Sequence, residues 1–271
     1  MPNLLSIQEA VNNFKALIES SILQGGIEAK EAMIRSSKPI NNIHDAVKSA
    51  LINAGVENIH VFPPLGASSP EMKLAGFLKH KHQDVCVAPK GWIPVNEIMQ
   101  EGLLQEEADF YGKEYTERVL SINVRSQMSS LAKNFDTLYE RTIAEAQNLH
   151  VRCPKMVLGE VYMIAVKEYS HVAMKRNKIE FIDKIGAVQK YIKSFQVING
   201  RADFTKEDYK YEKVCLLIVD FGQNPAKIYS TNEELVADGL MSKDSQANIV
   251  ELSWDSFFPS ILNTYKSRFG G

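Results

Sequence analysis

The stretch Leu74-Ala75-Gly76-Phe77-Leu78-Lys79-His80-Lys81-His82-Gln83-Asp84-Val85-Cys86-Val87 decides how this chain reads. Two short apolar runs, Leu74 to Leu78 and Gln83 to Val87, flank four basic residues. That pattern predicts a hairpin-like pair of strands around a basic turn. A lone acid, Asp84, opens the second run. Further along, Arg118 to Gln127 alternates as a strand does. Leu120, Ile122 and Val124 point one way, and Ser121, Asn123, Arg125 and Gln127 the other. One side is core, while the other is a polar row carrying a guanidinium. A strand with one solvated face explains that row equally well.

Met128 to Leu149 follows at helical spacing, with Leu131, Phe135, Leu138, Thr142, Ala146 and Leu149 as its buried stripe. Glu145 falls near the middle of that stripe, one turn after Arg141, and Glu140 falls on the opposite side. A carboxylate on an apolar face needs a partner or a use. An Arg141–Glu145 ion pair is the structural reading. Lys155 to Val166 is then a mostly apolar strand whose sole interior charge is Glu160.

Upstream, residues 5–21 carry a helical apolar pattern that Gly25-Gly26 breaks. A second helix covers Ile27 to Arg35. A third, capped by Asn42, runs from His44 to Ala54 and stops at Gly55. Glu57 to Phe62 reads as a short strand. Residues 89–116 are loop-rich, with a short helix near Val95 to Met99. Downstream, Asp183 to Ile198 reads as a helix. Val214 to Phe221 is nearly continuous apolar sequence, suited to a strand buried on both faces. Thr231 caps a helix through Ala237, and Trp254 to Phe269 forms a closing helix.

The 271 residues suffice for one large domain. A formal net charge of -2 gives no global basic field, so any nucleic-acid site has to be a local patch. The three cysteines, Cys86, Cys153 and Cys215, have no paired spacing and read as buried thiols in a reducing cytoplasm. No signal-peptide pattern and no apolar run of membrane-spanning length is present. Phosphate-binding glycine loops, a dinucleotide fingerprint, zinc spacings and a nucleophile elbow are all absent. NTP, zinc and serine hydrolysis therefore lack support.

The ordered set resembles the type II restriction endonucleases, nearest the XhoI group of the PD-(D/E)XK superfamily. In that group a Gly-aromatic-basic run leads to an Asp on a strand, matched here by Gly76 through Val85. A strand reading Glu-x-Lys-Ser-Gln follows, where this chain has Asn123-Val124-Arg125-Ser126-Gln127. The group's helix containing Asn-Phe and Arg-Thr is matched by Asn134-Phe135 and Arg141-Thr142, and a strand opening Leu-Gly by Leu158-Gly159. The match covers about a third of the chain.

The resemblance implies an α/β fold with a restriction-endonuclease-like core, a mixed central sheet flanked by helices, under an N-terminal helical layer. That core spans about 57–166, with helices in 1–56 and additions in 167–271. It implies catalytic roles for Asp84, Asn123, Arg125 and Glu145, with Asp84 as metal ligand and Mg²⁺ as cofactor. It implies DNA contacts from Lys79, Lys81, His82, Ser126 and Gln127. The expected partner is double-stranded DNA, bound by a two-fold homodimer at a palindrome in a bacterial cytoplasm, with a cognate methyltransferase as a genetic partner. Asn123 and Arg125 depart from the family's Glu and Lys. Arginine offers charge and a bidentate grip on phosphate but does not give up its proton, and asparagine is a weaker metal ligand than a carboxylate. Glu140, Glu145, Glu71 and Glu160 are candidates for the second carboxylate. The alternative is a catalytically inactive DNA-binding protein on the same fold.

Overall fold

The computed structural model describes residues 4–183 and 187–270. Helix α1 (Ile7–Arg35) opens on a capping box in which Ser6 and Glu9 satisfy each other's backbone N–H groups. Gly25 and Gly26 leave helical geometry, so α1 kinks where the sequence predicts a break. Helix α2 (Lys38–Asn53) starts earlier than an Asn42 cap would allow. Pro39 fits its first turn, and the Asn42 side chain donates back to the Lys38 and Pro39 carbonyls.

Strands β1 (Val61–Phe62), β2 (Met72–Ala75), β3 (His80–Gln83) and β4 (Val85–Val87) follow. Of the basic quartet only Lys79 lies in the turn. His80, Lys81 and His82 lie in β3, paired antiparallel with β2, and the reversal falls on Gly76 to Lys79. A distant residue sets that reversal. Asn148 accepts from the N–H groups of Leu78 and Lys79 at 2.8 and 3.1 Å and donates to the Lys79 carbonyl at 3.1 Å. A Cβ on Gly76 would lie 2.3 Å from Asn148 Nδ2, so glycine is required there. Where a helix near Val95 to Met99 is expected, β5 (Glu97–Ile98) and β6 (Ala108–Asp109) pair instead. Arg152 pins both, at 2.9 Å from Glu97 and 2.8 Å from Asp109.

The chain continues through α3 (Lys113–Glu117), β7 (Leu120–Gln127), α4 (Leu131–His150) and β8 (Val157–Ala165). Then come β9 (Lys167–Tyr169), α5 (His171–Met174), β10 (Phe181–Asp183) and α6 (Val188–Val197). Asp183 ends a strand rather than starting the expected helix, and residues 184–186 of that expectation lie outside the described ones. The remainder is β11 (Lys213–Asp220), β12 (Lys227–Tyr229), α7 (Asn232–Ala237) and α8 (Trp254–Phe269). Thr231 caps α7 in a capping box with Glu234.

The molecule is α/β, with a mixed six-stranded sheet ordered β1-β4-β7-β8-β11-β12 and flanked by helices. β7, β8 and β11 are parallel to one another, β4 and β12 flank them antiparallel, and β1 pairs antiparallel with β4 at the edge. Val85, Ile122, Val124, Val161 and Leu217 pack with α1, α2 and α8 on one face. Cys86, Leu158, Tyr162, Leu216 and Ile218 pack with α4 and α6 on the other. β11 is accordingly buried on both sides, as its apolar run requires. The three thiols are free and buried, and burial pushes those of Cys86 and Cys153 up to about 12. Among the described residues no helix is long and apolar enough to cross a membrane.

Candidate active site

The polar row of β7 does not face solvent. Ser121, Asn123 and Gln127 are buried, because the row lies on the sheet face that α4 covers. Burial forces its polar groups to find partners, and those partners build the site.

Asp84 sits at the bend between β3 and β4. Its Oδ2 accepts from the N–H of Val124 at 2.8 Å, which holds the carboxylate at the middle of the polar row. Lys81 Nζ donates to Glu145 Oε2 at 2.6 Å and to Asn123 Oδ1 at 3.2 Å. Arg125 Nη2 touches the same Glu145 oxygen. Its Nη1 donates to Thr142 Oγ1 at 2.8 Å, and its Nε lies 3.5 Å from Glu160 Oε1. Asn123 and Glu160 are register partners across β7 and β8. Glu160 is fully buried; among the described residues neither of its oxygens makes a hydrogen bond of good geometry, though the Asn123 amide and the Tyr211 phenol lie close enough to act on it.

Three carboxylates thus meet two cations, leaving one formal negative charge. Burial raises the Glu160 carboxyl against the pull of Arg125 and Lys81, and the Asp84 charge raises it further. Burial and the like charge of Arg125 bring the Lys81 ammonium down to about 8, against Asp84 and Glu160. Burial works to lower the Arg125 guanidinium, but Glu160 and Asp84 outweigh it and hold the group above its usual value. Asp84 therefore acts on Lys81, Arg125 and Glu160 alike. It acts on His44 of α2 as well, whose ring burial lowers and whose Nε2 is buried without a partner.

The structure brings Asp84, Asn123, Arg125 and Glu145 together and adds Lys81, expected only as a DNA contact. The other expected DNA contacts are scattered. Lys79 is exposed in the β2–β3 reversal, and His82 is exposed 3.6 Å from Glu71. Ser126 is half-buried on a cavity of about 240 Å³ shared with Phe14, Val124, Arg125, Leu138 and Tyr162. Gln127 is a correction. Its Oε1 accepts from the phenols of Tyr162 and Tyr191 at 3.2 and 2.5 Å, and its Nε2 donates to the Ser129 and Ser130 carbonyls. A side chain so buried and so fully paired belongs to the core rather than to a DNA surface.

The Arg141–Glu145 pair is also replaced. Arg141 is exposed, and Glu145 turns inward to Lys81 and Arg125. The sequence carried a signal for Glu160, a solitary charge in an apolar strand. The register of β8 sets it beside Asn123.

Among the described residues Asp84 keeps one oxygen free of protein hydrogen bonds, and Glu160 has only the neutral Asn123 and Tyr211 groups near its oxygens. Among the described residues no three His, Cys, Asp or Glu side chains converge to cage a metal unaided. Mg²⁺ does not need such a cage. It binds through one or two carboxylates and retains waters or takes substrate phosphate oxygens, so the donor set fits that ion. Comparison with family models, curated proteins and solved structures finds no match for this chain.

Proposed function

We propose that this chain is a Mg²⁺-dependent endonuclease of double-stranded DNA built on a restriction-endonuclease-like core. The observation that carries this reading is the meeting of Lys81 and Arg125 on Glu145 of α4, with Asp84 tied to Val124 beside them and its charge acting on both cations. An acid tied to the middle of β7 and two cations beside it are what a scissile phosphate and a divalent ion require together.

Asp84 would hold the ion through its unbonded oxygen. When bound, Mg²⁺ lowers the pKa of a coordinated water and neutralises charge on the attacked phosphate. Arg125 supplies fixed positive charge, oriented by Thr142 and Glu145. Lys81 has the side chain able to exchange a proton near working pH, which Arg125 does not. Glu145 positions both cations. A palindromic target would call for a two-fold homodimer.

One observation favours a second reading, a DNA-binding protein that does not cut. Lys81 and Arg125 already neutralise Glu145, and position 123 carries a neutral amide. Incubating mixed-sequence plasmid and genomic DNA with the protein, with and without Mg²⁺, separates the two. Discrete Mg²⁺-dependent fragments support the nuclease. Salt-sensitive duplex binding with no cleavage in Mg²⁺ or Mn²⁺ supports the second reading.

A further inference from the structure

We infer that Glu160, from the neighbouring strand β8, supplies the second carboxylate ligand that position 123 does not. This rests on the metal-dependent reading of the site. Of the other candidate acids, Glu140 is exposed on α4, and Glu71, half-buried and acted on by the Asp84 charge, lies 3.6 Å from His82. Glu145 shares one oxygen between Lys81 and Arg125. Of these acids, among the described residues, Glu160 is the one that is wholly buried, with only the neutral Asn123 amide and Tyr211 phenol beside it and no hydrogen bond of good geometry to either oxygen.

A carboxylate in that condition costs free energy unless something compensates it. Arg125 Nε, at 3.5 Å, is too distant for a short charge-assisted bond. The position suits the role. Glu160 is the register partner of Asn123, so its Cα stands one strand spacing, about 4.8 Å, from that of Asn123 on the same sheet face. Its charge and that of Asp84 already act on each other. An ion held across β7 would take one oxygen from Asp84 and one from Glu160, keep its remaining positions for water and phosphate, and compensate the buried acid.

The test uses Mn²⁺ alone as probe, on the full chain without DNA. Free Mn²⁺ is read by electron paramagnetic resonance for the wild type, Glu160→Gln, Asp84→Asn and the exposed Glu140→Gln. Glu160→Gln and Asp84→Asn should each weaken binding by about tenfold or more, and Glu140→Gln should leave it nearly unchanged. Unaltered affinity in a folded Glu160→Gln, or no Mn²⁺ binding by the wild type, overturns the inference.

Should the variant not fold, Mn²⁺-soaked wild-type crystals decide. An anomalous peak about 2.1 Å from a Glu160 oxygen supports the assignment, and a peak at Asp84 without Glu160 removes it. The nuclease reading stands or falls separately. Mn²⁺ held by Glu160 in a protein that cuts no DNA keeps the inference and discards the reading. Cleavage with Mn²⁺ affinity intact in Glu160→Gln does the reverse.

Discussion

The Asp84 carboxylate accepts a 2.8 Å hydrogen bond from the backbone N–H of Val124, the residue between Asn123 and Arg125. A side chain at the mouth of one strand is thereby fixed against the centre of the next. Two consequences separate cleanly. Asp84→Asn keeps an acceptor for Val124 and loses the charge, so it should melt close to the wild type. Asp84→Ala orphans that N–H and should lose about 1–3 kcal/mol in denaturant titration. Both should cut DNA at least about a hundredfold more slowly, because the ligand charge is gone.

Lys81 makes the site sensitive to alkali. Its ammonium sits at about 8 in the fold and near 10.4 in an unfolded chain. Below about 8 both states hold the proton, and the group's contribution is constant. Between those values the unfolded chain binds more protons, so Lys81 adds stability as pH rises. DNA affinity moves the opposite way, since a cation is lost above about 8. Duplex binding measured from about pH 7 to 9 should weaken more for the wild type than for Lys81→Met.

Gln127 should behave as a core residue. Gln127→Ala leaves the Tyr162 and Tyr191 phenols without their shared acceptor. Chemical denaturation should show a loss of about 2–4 kcal/mol. Cleavage specificity at temperatures where the variant stays folded should match the wild type, which a base-reading residue would not allow.

Gly159 is read here as a packing residue. An added Cβ would lie 2.7 Å from both Ile261 Cδ1 and Phe257 Cζ, where α8 crosses β8. Gly159→Ala should cost about 1–3 kcal/mol in a thermal or denaturant melt, with little effect on DNA binding by the folded fraction.

Local pattern was enough for much of this molecule. The alternation of β7, the stripe of α4, the apolar run of β11, the Thr231 cap and the bounds of α8 follow from spacing and capping chemistry. Departures occur where a distant side chain decides. Asn148 places the β2–β3 reversal, so His80 to His82 become strand. Arg152 holds the Glu97–Asp109 hairpin where a helix is expected. The polar row looks solvated because nothing local reveals that α4 folds back over it. Lys81, expected only as a DNA contact, and Glu160, one of four unranked acids, could not be placed for a related reason. Their meaning lies in which strands are neighbours, and register is a property of the sheet rather than of any one segment.

The most direct measurement is cleavage and binding of the same plasmid by the wild type and by Asp84→Ala, with Mg²⁺ present and absent. The account predicts discrete fragments only from the wild type with Mg²⁺, and retained, salt-sensitive DNA binding by Asp84→Ala. Cutting by Asp84→Ala at the wild-type rate, or wild-type cutting that ignores the divalent ion, would contradict it.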